Sequence, residues 1–379
     1  MSEKPRIALM SYAMDNRTAK GTALYTRKLI ERLIEDPRYE WHLVHFEKVD
    51  DPLYEKAHEI IMPRIPVLPF GTRFLRTMLF FWEFRNNQFD LIHWFQPRLY
   101  PFFWMAPAKK IVVTAHAAGD ITAPGKFPLS RRIFNFVMIN FSRYIAAIIA
   151  VSNFGKREIV EYYRASEEKV HTIYNGGGED FHLMEKSEAQ ARIASRYHVA
   201  TPFILDVSRL ELYKNVARLI KAYDMARHRS SFPHSLVVVG YPGSASGEVE
   251  HAKNSSQFSK QIQTIDYVAP EDLNALYAAA DLLVFPSLNE GFGLPIVEAF
   301  AVGTPVVTSS TGGLSEIAED AAELVDPMSE ADIARGVEAV LNEEQKKAQL
   351  VSKGFERAKT FTWRRCADAT LALYASLLA

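Results

Sequence analysis

An α/β architecture of two doubly wound domains facing a central cleft is predicted by three observations. Short apolar runs alternate with amphipathic helical stretches, the pattern of parallel strands covered by helices on both faces. The alternation occurs twice in 379 residues, a length that accommodates two domains of ordinary size. Between the two series lies a glycine-rich run, Asn175-Gly-Gly-Gly-Glu-Asp180, followed by a polar helical stretch at 185–197.

In the first half, 6–11 reads as a strand and 22–33 as a helix, with Leu24, Leu29, Ile30 and Leu33 among its apolar positions. Further strands are expected at 41–46, 91–94, 111–114, 145–151 and 169–174. In the second half, strands are expected at 203–207, 236–240, 262–267, 282–286 and 305–308. Helices at 215–227, 270–280 and 295–302 separate them. The domain boundaries are expected at 1–178 and 179–360. Ligands of doubly wound sheets bind outside the carboxyl ends of the strands, so residues just past those ends are the candidates for function.

Composition excludes several classes. Hydrophobic residues make up 48% of the chain, as in a well-cored protein rather than a disordered one. Lys and Arg number 44 against 45 Asp and Glu, so no global charge favours nucleic acid. Cys366 is the single cysteine, which removes intrachain disulfides and cysteine-based metal sites; a reducing, cytoplasmic setting is expected. The N-terminus lacks the apolar core of a signal peptide. No run of 18 uncharged apolar residues suggests a membrane span.

The most informative stretch runs from Glu290-Gly-Phe-Gly-Leu-Pro-Ile-Val-Glu298 to Gly303-Thr-Pro305. Gly291, Gly293 and Pro295 prevent one continuous helix from carrying both acids, because proline is accepted at a helix start and poorly inside. Glu290 is therefore expected in a loop at 287–294 and Glu298 near the first turn of a helix starting at Pro295. Flexible backbone at a helix N-terminus suits a phosphate, and carboxylates accept hydrogen bonds from ligand hydroxyls. The alternative is a capped surface helix with incidental acids.

Arg209 and Lys214 follow the strand at 203–207 and could neutralise a diphosphate without a metal, or form a basic loop paired with Glu211. His116 lies just past another strand end, in Val112-Val-Thr-Ala-His116-Ala-Ala-Gly119-Asp120, where it serves either catalysis or structure. Lys20-Gly21-Thr22 opens a helix, as an anion site or as an ordinary helix start. The Tyr241–Gly247 loop has the wrong glycine spacing for a dinucleotide fingerprint. No Asp-x-Asp, Gly-x-Gly-x-x-Gly, P-loop, zinc cluster or Gly-x-Ser-x-Gly is present, which disfavours dehydrogenase, P-loop ATPase and serine hydrolase.

These residues resemble the retaining glycosyltransferases of family 4, which have the GT-B fold of two Rossmann-like domains. The similarity is strongest over about 203–327. It takes in Val207-Ser-Arg-Leu with Lys214-Asn215, Leu273-Asn-Ala-Leu-Tyr-Ala-Ala-Ala-Asp281, Phe285-Pro-Ser287 through Gly303-Thr-Pro-Val-Val307, and Gly312-Gly313 with Glu316. Weaker likeness continues through Val151-Ser-Asn-Phe-Gly-Lys156 and Tyr174-Asn-Gly176.

The resemblance implies transfer of a hexose-type sugar from a nucleotide-diphosphate donor to a saccharide or lipid-linked saccharide, with retained anomeric configuration and no metal or other cofactor. Carried over by position, Glu298 accepts from the ribose hydroxyls. Glu290 contacts donor-sugar hydroxyls, with the Gly291, Phe292, Gly293 and Leu294 segment beside it. Arg209 and Lys214 stabilise the diphosphate, His116 lies near the donor sugar, and Gly21 lets its loop approach phosphate and acceptor. The segment 361–379 is expected to pack back onto the first domain. Two departures stand out: Ser208 where the family often has glycine, and Gly21 alone where it often has a glycine pair. Alanine at Arg209 or Lys214 is expected to abolish most transfer and spare the fold. A nucleotide-sugar epimerase of the same fold and an inactive sugar-nucleotide-binding partner are the rival readings; a phosphorylase would need a pyridoxal-lysine motif that is not found.

Residues 66–105 are rich in aromatics and carry Arg73, Arg76, Arg85 and Arg98. Such a segment can lie on an anionic membrane surface, giving a peripheral contact at its inner face, or form a core helix and strand of the first domain.

Overall fold

The computed structural model describes residues 3–15, 21–63, 72–96, 102–116 and 129–379. The chain divides into two compact units, Met1–Gly176 with Trp363–Ala379, and Gly177–Thr362. The crossings therefore fall at 176/177 and 362/363, a few residues from the sequence-based boundaries.

The sheet of the first unit contains β1 (Arg6–Met10), β2 (Glu40–His45), β3 (His58–Ile61), β4 (Phe89–Trp94), β5 (Ala108–Ala115), β6 (Ala147–Ala150) and β7 (Val170–Thr172). Its order is β3-β2-β1-β4-β5-β6-β7, with every pairing parallel. The second unit holds β8 (Phe203–Val207), β9 (Ser235–Val239), β10 (Ile262–Ile265), β11 (Leu282–Phe285), β12 (Val306–Ser309) and β13 (Glu323–Val325). These run β10-β9-β8-β11-β12-β13, again all parallel. Both units are thus Rossmann-like. Their topological switch points lie between β1 and β4 and between β8 and β11, where two neighbouring strands send their chains in opposite directions.

Central strands are apolar on both faces because helices cover both. Leu283 and Phe285 enter one core of the second unit with Phe203, Leu205 and Phe300. Leu282 and Val284 point the other way, onto Ile204, Leu236 and Val307. Each such side chain contributes about 1.5–3 kcal/mol through burial. Two strands were not expected from the sequence. The edge strand β3 leaves His58, Glu59 and Ile61 exposed, and β13 has only three residues, so neither makes a clear apolar run.

The helix Trp363–Leu378 packs on the helix Thr22–Leu33 of the first unit, burying Trp363, Cys366, Thr370 and Tyr374. Gly176 is required beneath it, since a Cβ there would stand 2.2 Å from the Trp363 backbone nitrogen. The Tyr374 hydroxyl lies 2.5 Å from His93 Nδ1 on β4, and His93 Nε2 lies 2.8 Å from Thr114 Oγ1 on β5. Burial, with nearby His116 adding to it, lowers the His93 pKa to about 3. The neutral ring can accept from Tyr374 and donate to Thr114.

Candidate functional site

At the second unit's switch point, the segments leaving β8 and β11 meet. Lys214 comes from the first and Glu290 from the second, and Lys214 Nζ lies 2.5 Å from Glu290 Oε1. The ammonium also sits over the Phe285 ring, 4.7 Å from its centroid. Burial works against the charge on Lys214, but the attraction of Glu290, helped by Tyr213 and Asp206, outweighs it and holds the pKa above the ordinary lysine value. Two further bonds join the same segments. Leu288 N donates to Tyr213 O at 2.7 Å. Asn215, in the left-handed region at φ 65°, donates through Nδ2 to Pro286 O at 3.0 Å and Pro327 O at 2.7 Å. Asparagine is among the few non-glycine residues that accept this backbone readily.

Beneath this pair lies Asp206, fully buried in β8. Ser208 Oγ donates to Asp206 Oδ2 at 2.5 Å, while Oδ1 is buried without a hydrogen-bond partner among the described residues. Burial raises the carboxyl pKa to about 7, although Ser208 and Lys214 both oppose the rise. Ser208, one of the two departures from the family pattern, is thus the hydroxyl that holds Asp206. A charged residue inside the apolar run Phe203-Ile-Leu-Asp-Val was the signal that could have flagged it.

The helix predicted after Glu290 spans Leu294–Val302, starting one residue before Pro295. Gly293 precedes it at φ 96°, and a Cβ there would strike the Leu314 side chain at 2.4 Å. Gly313 lets a neighbouring helix touch the Glu290 loop: its N–H donates to Glu290 O at 3.0 Å, and a Cβ would lie 2.5 Å from Gly291 O. Phe292 is buried edge-on against Phe361, ring centroids 5.3 Å apart. The loop amides of Gly291 and Phe292 lead to the Gly293 cap and to Leu294, which opens the helix, and a helix N-terminus favours an anion. Glu298 is the helix's fifth residue, near the first turn as expected, and it is buried. Its Oε2 accepts from the Tyr277 hydroxyl at 2.6 Å.

Arg209 stands apart from this constellation. Its side chain is 65% exposed and its Nε lies 3.1 Å from Glu211 Oε1, the pairing that was the alternative reading of this loop. In the first unit, half-buried His116 follows β5, with Nε2 3.2 Å from Phe95 O and its ring edge-on to Tyr25 at 4.8 Å. Tyr25 belongs to the helix that Gly21 introduces at φ 68°, and a Cβ on Gly21 would meet nothing within 4 Å. The helix start and the histidine are thereby joined through one ring. Lys20, Gly119 and Asp120 lie outside the described residues.

The aromatic basic segment divides. The helix Thr72–Phe84 turns Thr77, Phe80 and Phe81 into the core. Arg76 is buried with them, donating to Met62 O and Pro63 O at 2.9 Å and pairing with Glu47 at 2.7 Å. It is therefore a structural arginine, unable to meet a surface. Leu75, Leu79 and Trp82 remain exposed, and the Arg85 guanidinium lies 3.9 Å from the Trp82 centroid. Arg98 lies outside the described residues.

A cavity of about 670 Å³ opens among Arg6, Tyr39, Glu40, His58 and Asn87. It sits at the amino-terminal edge of the first sheet, away from the ends where such sheets bind ligands. Among the described residues, no three His, Cys, Asp or Glu side chains form a group that could hold a metal ion, and no helix is long and apolar enough to cross a membrane.

Comparison with known proteins agrees with this geometry. The profile of the family described as glycosyl transferases group 1 matches residues 190–357, and that of glycosyltransferase family 4 matches 19–176. The chain is 28% identical to O-antigen chain mannosyltransferase B of Escherichia coli, over 70% of either chain. It is 30% identical to a serotype-specific mannosyltransferase WbdA of the same organism over 61% of its own length, but spans only 29% of that relative. Among solved structures, Anabaena Alr3699/HepE in complex with UDP and glucose has a TM-score of 0.79 at 19% identity, covering 98% of this chain and 100% of that one. Sucrose-phosphate synthase from Thermosynechococcus elongatus has a TM-score of 0.76 at 22% identity, covering 98% and 99%. With both halves matched by the family and both folds Rossmann-like, the chain belongs to the family 4 glycosyltransferases of GT-B fold.

Proposed function

We propose that this glycosyltransferase moves a hexose, with retention of anomeric configuration and without a metal, from a UDP- or GDP-sugar to a saccharide or lipid-linked saccharide of a surface polysaccharide. The observation that carries the reading is the Lys214–Glu290 pair at the β8/β11 switch point, beside a helix N-terminus. In this reading the second unit binds the donor. Its phosphates draw Lys214 from Glu290, and the released carboxylate receives donor-sugar hydroxyls. Arg209 swings from Glu211 to the diphosphate, and Glu298 accepts from the ribose. His116 meets the donor sugar, and Gly21 approaches phosphate and acceptor; these two roles rest on the family pattern.

As the glycosidic bond breaks, negative charge grows on the leaving diphosphate. Lys214, Arg209 and the amides opening the Leu294–Val302 helix stabilise it as a fixed positive field. One such group contributes about 3–4 kcal/mol to the barrier, a few hundredfold in rate. Mannose is the first sugar to test, because O-antigen chain mannosyltransferase B is a relative over most of the chain.

An acceptor held in lipid fits the exposed apolar surface of the first unit. Trp82, Met105, Phe136 and Tyr144 are 48–65% exposed, and Arg85 and Arg143 lie over Trp82 and Tyr144. Aromatic side chains accompanied by arginine suit the headgroup region of an anionic leaflet. We place the enzyme in the cytoplasm, peripheral to the inner face of the membrane.

The test is a donor screen with UDP- and GDP-hexoses in the presence of a chelator, reading release of the nucleoside diphosphate with and without acceptor. Acceptor-dependent release supports transfer. Rearrangement of the donor without acceptor would indicate an epimerase, and binding without turnover an inactive partner.

A further inference from the structure

The segment Leu273–Asp281 carries family likeness, yet the proposed chemistry uses none of it. Its helix, Pro270–Ala279, presents Tyr277 to the Leu294–Val302 helix, and the tyrosine hydroxyl donates to Glu298 Oε2 at 2.6 Å. Both residues are buried, Tyr277 completely and Glu298 to 6% exposure. The tyrosine is itself fixed. Its ring meets Phe181 edge-on at 5.7 Å, and its carbonyl accepts from Thr304 Oγ1 at 2.7 Å, in the turn that follows the Glu298 helix.

A glutamate side chain has three rotatable bonds, and its carboxylate turns freely unless held. A donor on one oxygen fixes the carboxylate plane and so the directions from which further hydroxyls can approach. Ribose recognition demands such a fixed acceptor. Burial, reinforced by the adjacent Glu298 charge, pushes the Tyr277 phenol well above the ordinary tyrosine value, so the hydroxyl keeps its proton and remains a donor at every working pH.

We infer that Tyr277 is a positioning residue for donor recognition, orienting Glu298 toward the ribose hydroxyls from a second helix. The inference rests on the ribose role proposed for Glu298. It assigns to the Leu273–Asp281 motif a share in nucleotide selection in addition to its packing.

The experiment compares binding of UDP and GDP with binding of their 2′-deoxy and 3′-deoxy forms by calorimetry, in wild type, Tyr277→Phe and Thr304→Val. Wild type is expected to prefer the ribose form of its nucleotide. Tyr277→Phe should narrow that preference by about tenfold, the scale of one hydrogen bond to a charged group, with the deoxy forms bound as before. Thr304→Val, which loosens the packing of Tyr277 but keeps its hydroxyl, should retain the preference. An unchanged preference in Tyr277→Phe would overturn the inference. So would equal weakening of ribose and deoxy forms, or loss of the folded state, since either assigns the hydroxyl to packing. A wild type indifferent to the ribose hydroxyls would instead overturn the role given to Glu298.

Discussion

Lys214 Nζ lies 2.5 Å from Glu290 Oε1, and this single ion pair joins the two segments that leave the switch-point strands of the second unit. Both side chains are largely withdrawn from solvent, at 13% and 16% exposure, so the pair matters to stability as well as to ligand binding. Removing one partner leaves the other charge poorly solvated.

Lys214→Ala is therefore expected to act twice. Turnover should fall a few hundredfold, and the second unit should lose roughly 1–3 kcal/mol of stability because Glu290 keeps its charge without a cation. The sequence alone led to the expectation of an intact fold. Lys214→Met, which fills the space, combined with Glu290→Gln, which removes the stranded charge, should recover most of the stability and none of the turnover. Urea unfolding alongside a turnover assay checks both; a double variant no more stable than Lys214→Ala counts against the pair.

Arg209→Ala should separate the two effects. The side chain is exposed and its ion pair with Glu211 is worth little, so stability should stay within about 0.5 kcal/mol of wild type. Turnover should nevertheless drop about a hundredfold or more. Near-normal turnover at saturating donor would leave Arg209 as a surface residue paired with Glu211.

Asp206 gives a pH signature with a defined sign. Its folded pKa of about 7 lies above the unfolded value of about 3.9, so the folded state binds the additional proton between those values. The stability that Asp206 contributes is fully present below the unfolded value and is lost as pH rises from there through 7. Asp206→Asn lacks this titration, and its stability relative to wild type should improve by roughly 2–3 kcal/mol between pH 5 and pH 8. Unfolding curves for the two proteins that stay parallel across this range would show that Asp206 is ionised throughout.

The C-terminal helix should be integral to the first unit. Trp363 is 1% exposed and in ring contact with Tyr25 at 6.0 Å, so Trp363→Ala should cost about 3–5 kcal/mol. A loss below about 1 kcal/mol in chemical denaturation would contradict that packing.

Membrane contact is tested by Trp82→Ser with Phe136→Ser. Both side chains are mostly exposed, with Phe136 touching Phe141 at the core's margin, so folding should change little, while sedimentation with vesicles containing anionic lipid should fall about tenfold. Equal sedimentation of variant and wild type would show that these side chains make no lipid contact.

Several features of the fold were legible from apolar runs. The helix Thr22–Leu33 and the strand Phe203–Val207 fall where periodicity put them, and central strands such as Leu282–Phe285 read clearly because both faces are buried. β3 was not legible, since an exposed edge strand needs no apolar pattern. Within the site, Glu290 and Glu298 could be nominated because glycines and a proline separate two acids just past a strand, and Lys214 because it is a cation in the segment that follows another strand end. Their partners could not. That Lys214 faces Glu290, that Tyr277 holds Glu298, and that Arg76 is a core residue all depend on contacts between segments well separated in the chain. Asn215 was quoted as part of a motif, but its two carbonyl contacts appear only when β8, β11 and β13 are assembled.

The measurement that bears most directly on retaining transfer is proton NMR of the product formed from an α-linked UDP- or GDP-hexose and a saccharide acceptor. Retaining transfer gives an α-linked product together with one equivalent of nucleoside diphosphate. A β-linked product, or consumption of the donor without a glycosylated acceptor, would contradict it.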